Sequence, residues 1–351
     1  VVSLAEPLPW LAEPLLQALQ QQRGHALLVH AAPGNGALHF ALSLAQAWLC
    51  EAGDGRAPAC GQCGSCRMLQ GRLHPDAFVL LPEALRRQHE WPLVDDKPEG
   101  DDAKRKPSRQ IRIDEVRALI DWSTRTTARG RGKVALLHPA EQLNPQAANA
   151  LLKTLEEPPA GTRLVLSCAD PALLLPTVRS RCQVRTLPTP PRDVAERWLA
   201  THGVRDGAAA LLAACSGRPL DALALHAEGV DAAAWAAVPR AVAAGQPGVL
   251  AGWPLPRALD ALLKLCHDAL ARAGGAGARY FADADVPAGA DPARLADWSR
   301  ELLRVARFDE HPWHEALLLE SLLRQGARAL APREPTPGAR GQGPLATLPA
   351  R

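Results

Sequence analysis

The chain has 351 residues, of which 47% are hydrophobic and 22% charged, and its formal net charge is +3. That is ordinary globular composition for two or three domains, long enough to bury a substantial core without disulfide staples. So small a net charge gives no argument for nucleic-acid wrapping. The absence of a long uncharged apolar run, or of a basic stretch leading into one near Val1–Trp10, gives none for a membrane span or a secretory signal.

The first half alternates strand and helix signals. His25–His30 is a short apolar run suited to a buried strand, and Ala31 to Gly36 is a small-residue turn. Leu38, Ala41, Leu42, Ala45, Trp48 and Leu49 then recur at helical spacing. Further strands are predicted at Phe78–Leu81, Val134–Leu137, Leu164–Cys168 and Val184–Leu187, with helices at Asp114–Thr127 and Pro145–Glu157 between them. Asn144 is a good N-cap for the second helix, Pro145 suits its first turn and Pro158-Pro159 stops it. Strands alternating with helices imply a parallel sheet covered on both faces.

Residues 83–109 interrupt the pattern. They are charged and poor in apolar residues, and are predicted to be a solvated, mobile loop. After Leu187, Pro188-Thr-Pro-Pro191 is a stiff linker, and beyond it only helical patterns remain: 192–202, 207–215, 219–228, 231–244, 255–273, 291–306 and 312–329. The Pro/Gly/Arg-rich stretch from Ala331 reads as disordered. The predicted plan is an α/β domain over 1–187, a small helical domain over 188–229, a larger all-α domain over 230–330 and a tail over 331–351.

Three motifs carry chemistry. The loop Ala31-Ala-Pro-Gly-Asn-Gly-Ala-Leu38 sits between strand and helix, where a phosphate-binding loop belongs. A working loop reads G-x-x-x-x-G-K-[S/T]. Here Ala31 replaces the first Gly, Ala37 the Lys and Leu38 the hydroxyl residue; Gly36 remains, with Gly34 inside the loop. The strand Val134–Leu137 would carry the acidic pair of an ATPase at its end, yet His138 and Pro139 follow it, so neither magnesium nor water has its carboxylate. Hydrolysis is not supported.

Cys50, Cys60, Cys63 and Cys66 form the strongest cluster, with Cys60-Gly-Gln-Cys-Gly-Ser-Cys66 predicted to make two tight turns. Four thiolates at this spacing suit structural zinc, in preference to a redox CxxC pair, an iron–sulfur site or free thiols. A closed four-Cys site leaves no open position for catalysis. Cys168, Cys182, Cys215 and Cys266 lie in strand or helix patterns and read as core thiols. Finally, Ser180-Arg-Cys182 leads into the last strand, placing Arg181 near a domain edge. There it could complete a neighbour's phosphate site, although a local salt bridge is the commoner fate of one Arg. The basic stretch Thr126–Lys133 could approach a phosphate, and reads more simply as a solvated loop.

Together these residues resemble one family. Pro9-Trp10, Gly24-His-Ala-Leu-Leu28, the altered loop at 31–38, the four-Cys module at 50–66, His74-Pro-Asp76, the run Ala147 to Pro159 ending in Leu-Glu-Glu-Pro-Pro, and Ser180-Arg-Cys182 are similar to the delta-prime members of the bacterial DNA polymerase III clamp-loader (AAA+) family. The resemblance is dense over about residues 9–190 and thins beyond.

It implies an AAA+ module of two domains, the second a helical lid at 188–229, followed by a helical collar at 230–330 that joins a hetero-oligomeric ring. It implies an accessory, non-hydrolysing subunit of the polymerase holoenzyme. Its partners would be ATPase subunits (gamma or tau), the delta subunit and, through the complex, the sliding clamp and primed DNA. Arg181 would then be an arginine finger for the neighbouring ATP site, and zinc would sit on Cys50, Cys60, Cys63 and Cys66. The stretch Ser216–Asp221 puts Leu220 where ATPase relatives carry a nucleotide-sensing Arg, with Arg218 offset. The rival readings are an active ATPase subunit of the same family and a stand-alone zinc-ribbon nucleic-acid binder. Ala37, Leu38, His138 and Pro139 oppose the first; an aromatic content of 4% and a single basic residue, Arg56, between the first and last Cys of the cluster oppose the second.

Overall fold

A computed structural model of the chain describes residues 3–4, 6–92, 107–307 and 314–333. Two compact units are present, Val1–Gly229 and Val230–Arg351.

The first unit opens with α1 (Ala12–Gln21), which no sequence signal above marked, and is then built on five strands: β1 (Ala26–His30), β2 (Ala77–Leu80), β3 (Lys133–Leu137), β4 (Thr162–Cys168) and β5 (Gln183–Thr186). All pair in parallel, in the order β2-β3-β4-β1-β5. The register sets Leu27 beside Val165 and Leu136 beside Val165 from the other side, so the apolar runs lie at the sheet centre. β3 is buried along its whole length, as a strand covered on both faces must be. The expected α/β sheet is thus present.

Helices α2 (Ala37–Leu49), α3 (Gly64–Gln70), α4 (Glu83–Gln88), α5 (Ile113–Thr124), α6 (Pro145–Glu156) and α7 (Pro176–Arg179) fall between or beside the strands. On one face Leu28, Phe78, Leu137 and Leu166 meet Leu119 of α5 and Leu151 of α6 in a single apolar cluster. Asn144 caps α6 by accepting the Ala147 N–H at 2.8 Å, a cap worth about 1 kcal/mol. Helices α8 (Arg192–Thr201), α9 (Ala208–Ala214) and α10 (Pro219–Ala227) complete this unit, and Trp198 of α8 meets Trp10 edge to face at 5.2 Å.

Residues 83–109 differ from the expected loop. Residues 83–88 are the helix α4, because its charges pair at helical spacing: Arg87 meets Glu83 at 2.8 Å, and Arg86 reaches Glu115 of α5 at 3.4 Å. Ser108 returns to this helix, its N–H donating to Glu83 at 2.9 Å. Residues 93–106 lie outside the described residues, as does the predicted tail beyond 333. At its start, Arg333 N–H donates to Gly289 at 2.8 Å.

The second unit holds α11 (Ala232–Ala243), α12 (Leu255–Ala273), α13 (Pro292–Ala306) and α14 (Glu315–Leu330). Its one fully buried carboxylate among the described residues, Asp268 on α12, accepts the N–H groups of Arg279, Tyr280 and Phe281 at 2.7–2.9 Å. That holds the loop so that Phe281 stacks on Trp235 at 4.8 Å. No single helix among the described residues is long and apolar enough to cross a membrane.

Candidate metal centre and nucleotide loop

Cys50 ends α2, Cys60 and Cys63 lie in the following loop, and Cys66 is in the first turn of α3. The four sulfurs lie within 4.8 Å of one another, and none is in a disulfide. A tetrahedral metal with sulfur bonds of about 2.3 Å needs sulfurs about 3.8 Å apart, so little movement separates this cluster from a closed site. Backbone N–H groups already point at the sulfurs: Cys60 to Cys50 Sγ at 3.5 Å, Cys63 to Cys60 Sγ at 3.4 Å and Cys66 to Cys63 Sγ at 3.4 Å. Burial pushes the Cys63 thiol up, but hydrogen bonds from the Cys66 and Glu51 backbone and from the neighbouring Cys66 and Cys60 thiols outweigh it and hold the group at about 6. Burial and the neighbouring thiols raise Cys66 instead. The donor set therefore suits a thiophilic ion such as zinc.

The expected pair of tight turns is half correct. Gly61 takes a left-handed φ of 74°, but Gly64 begins α3, and Cys63 is that helix's N-cap. The helix places Cys66 over Cys63 without a second turn. By contrast, burial raises Cys168, Cys182 and Cys266 to about 12, as fits core thiols.

The His74-Pro75-Asp76 motif connects this cluster to the sheet. His74 Nδ1 accepts the Asp76 N–H at 3.0 Å, which leaves the proton on Nε2 to meet Ser65 Oγ at 2.6 Å. The Asp76 carboxylate accepts the N–H groups of Ala128 and Arg129 at 2.7 and 2.8 Å, and Arg129 Nε donates to Glu51 beside Cys50 at 2.7 Å. Part of the basic stretch 126–133 is thus tied down rather than solvated.

The loop at 31–38 has the strand–turn–helix frame of a phosphate loop and different contents. Gly36, at φ 92°, caps α2; Ala37 opens the helix and Leu38 is buried. Asn35 is buried and its carbonyl accepts the Trp10 indole N–H at 2.9 Å. The first turn of α10 lies on the loop: Leu220 N–H donates to the Gly34 carbonyl at 3.2 Å, and Asp221, paired with Arg218 at 2.8 Å, presses its carboxylate against Gly34. A carboxylate of α10 therefore stands where phosphates would need donors. Leu220 and Arg218 are both turned to holding this contact.

At the end of β3, His138 hydrogen-bonds Ser167 through Nδ1 at 2.7 Å, and burial lowers its pKa to about 4. His39, one turn into α2, is lowered to about 4, again by burial first. Both rings are neutral near pH 7, so neither carries charge toward a phosphate or a metal.

Arg181 follows α7 and precedes β5, the edge strand. Its guanidinium holds the Glu156 carboxylate of α6 with Nε at 2.6 Å and a second nitrogen, and donates to the Thr177 carbonyl at 2.8 Å. The local salt bridge is real; about a third of the side chain remains exposed. The sequence reading did not mark Glu156 as its partner or Asp221 as the cover of Gly34. The Leu-Glu-Glu-Pro-Pro run contained the first signal, since a carboxylate at a helix end invites a cation, and nothing local pointed to the second.

Residues 11–191 match the family described as DNA polymerase III, delta subunit, and the chain belongs to that family. It is 38% identical over 236 residues to the DNA polymerase III subunit delta' of Pseudomonas aeruginosa, covering 65% of this chain and 63% of that one. It is 35% identical to the Escherichia coli subunit delta' over 62% of this chain and 60% of that one. The Escherichia coli DNA polymerase III subunit tau is 36% identical over 159 residues, which are 45% of this chain and 20% of tau. The matched part spans less than two thirds of the length of these curated relatives.

Proposed function

We propose that this chain is the non-hydrolysing, delta-prime-type subunit of a DNA polymerase III clamp loader: a non-catalytic partner that assembles with ATPase subunits so that the complex loads a sliding clamp onto primed DNA. Membership of the DNA polymerase III delta family and the similarity to delta' relatives support the assignment. The observation that carries the non-hydrolysing part is the Asp221 carboxylate lying on Gly34, in a loop without Lys, Ser or Thr at positions 37 and 38 and beside a strand that ends in neutral His138. Phosphate there would meet like charge and find no metal carboxylate.

In this reading residues 1–187 form the AAA+ α/β domain, 188–229 its lid and 230–330 the collar that joins the ring. Zinc bound by Cys50, Cys60, Cys63 and Cys66 would cross-link the end of α2 to α3, a structural function. Arg181 would act in trans. Its planar fork leaves Glu156 and meets two oxygens of the ATP bound by the neighbouring subunit, where charge builds during transfer. Glu156 keeps the free guanidinium extended at the edge of the sheet until that anion arrives. The test mixes the purified chain with gamma or tau and delta, sizes the product and assays ATP hydrolysis. One stable complex, with no turnover by the chain alone, is expected. Failure to enter any complex, or robust hydrolysis by the chain itself, overturns the reading.

A further inference from the structure

A second basic site lies at the opposite end of the sheet from the nucleotide loop. The starts of β1, β3 and β4 and the end of α2 enclose a cavity of about 310 Å³. Arg23, Arg131, Lys133 and Arg163 line it, with Trp48 and Thr162, and no carboxylate does. Three guanidiniums around one cavity are a costly arrangement unless something negative shares it, since like charges close together repel.

The side chains are placed rather than loose. Arg163 lies over the Trp48 ring at 4.7 Å, which fixes the guanidinium plane while leaving its N–H groups unspent. Arg131 donates through one nitrogen to the Gly53 carbonyl, which ties the cavity wall to the cysteine module. Lys133 is buried, donates to the Trp122 carbonyl and sits over the Trp122 ring at 4.6 Å, so its charge is spent on the face turned to α5. Among the described residues, no carboxylate pairs with Arg23 or Arg163. Guanidiniums without carboxylate partners around one cavity leave an incomplete hydrogen-bond set.

We infer that this cavity binds a phosphate group, with Arg131 and Arg163 as the clamp. Guanidinium forks match the oxygens of phosphate in pairs. Trp48 is buried beneath Arg163 and offers no free face for a base, so recognition is of phosphate and not of sequence. The group belongs either to a nucleic-acid strand or to a free nucleotide. The site does not depend on the clamp-loader reading.

The test is equilibrium dialysis of the full chain against labelled inorganic phosphate at low salt. Arg163→Glu and Arg131→Glu are expected to weaken binding about tenfold or more each. Arg205→Glu, an exposed Arg away from the cavity, makes the same change in net charge and is expected to leave binding as it was. Circular dichroism and metal content check that each variant is folded. Competition assigns the source: displacement by single-stranded DNA of mixed sequence points to a strand, and displacement by a nucleoside monophosphate alone to a free nucleotide. No binding by the unmodified chain, or equal losses in the Arg163 and Arg205 variants, overturns the site.

Discussion

The Asp221 carboxylate lies so close to Gly34 that a Cβ added there would sit 2.8 Å from Oδ2 and nearer still to the rest of the group. Gly34 also has a φ of 75°, where side chains are strained. Two independent reasons therefore require glycine, and the first gives the loop a role in holding α10. Gly34→Ala is expected to cost about 1–3 kcal/mol of stability in urea unfolding. An unchanged midpoint would mean that α10 does not rest on the loop.

Restoring the sequence of the phosphate loop is not expected to restore chemistry. Ala37→Lys with Leu38→Thr supplies a cation and a hydroxyl, yet Asp221 still faces Gly34 and His138 still stands where a carboxylate is needed. The double variant of the isolated chain is expected to show no ATP turnover above the unmodified protein in a phosphate-release assay. Turnover in that variant would mean that the site needs neither acidic residue.

The buried histidines set a pH dependence. His138 is lowered from 6.5 to about 4 in the folded chain, so below pH 6.5 the unfolded chain takes up a proton that the folded one refuses. Stability is complete above about pH 6.5 and falls as pH drops from there toward 4, by at most about 3 kcal/mol for this one ring. His39 adds a loss of the same sign. His138→Asn, which keeps a polar partner for Ser167, is expected to flatten the difference between urea unfolding at pH 5 and pH 7. An unaltered slope would place the pH dependence elsewhere.

Metal should behave as a fastener. Elemental analysis is expected to find about one zinc per chain, and Cys63→Ser to release it. Because Cys63 also caps α3, faster amide exchange over Gly64–Gln70 should accompany the loss, while the second unit keeps its protection. Iron in the purified protein would contradict the assignment.

Asp268 predicts a separate fault line. It is fully buried and accepts three backbone N–H groups. Asp268→Ala leaves those donors unpaired, at about 1–3 kcal/mol for each that water does not reach. The variant should lower the melting temperature of the second unit without releasing zinc. Melting at the unmodified temperature would show that the loop at 279–281 is held by other means.

Much of this was legible in the sequence, and what was missed has a common cause. Val134–Leu137 and Leu164–Cys168 declared buried parallel strands because both faces are covered. Asn144, Pro145 and Pro158 punctuated α6 as capping chemistry requires. The cysteine spacing gave the cluster directly. Each of these signals is local. The Asp221–Gly34 contact joins residues far apart in the chain, as do the Arg181–Glu156 pair and the grouping of Arg23, Arg131 and Arg163. Only the register of the sheet and the docking of α10 create them. The helix α4 was hidden for a different reason: its stability comes from charge pairs, so it lacks the apolar stripe by which helices are recognised.

DNA-stimulated ATP hydrolysis by the reassembled loader, with this chain unmodified or carrying Arg181→Ala, tests the central claim most directly. An exposed ion pair such as Arg181–Glu156 contributes little to folding, about 1 kcal/mol or less, so the variant should fold, keep its zinc and enter the complex. The account predicts a marked fall in ATP turnover and clamp loading by the assembly, with none detectable from the isolated chain in either form. Equal turnover and loading by both assemblies would contradict it, and would leave Arg181 as the partner of Glu156 and nothing more.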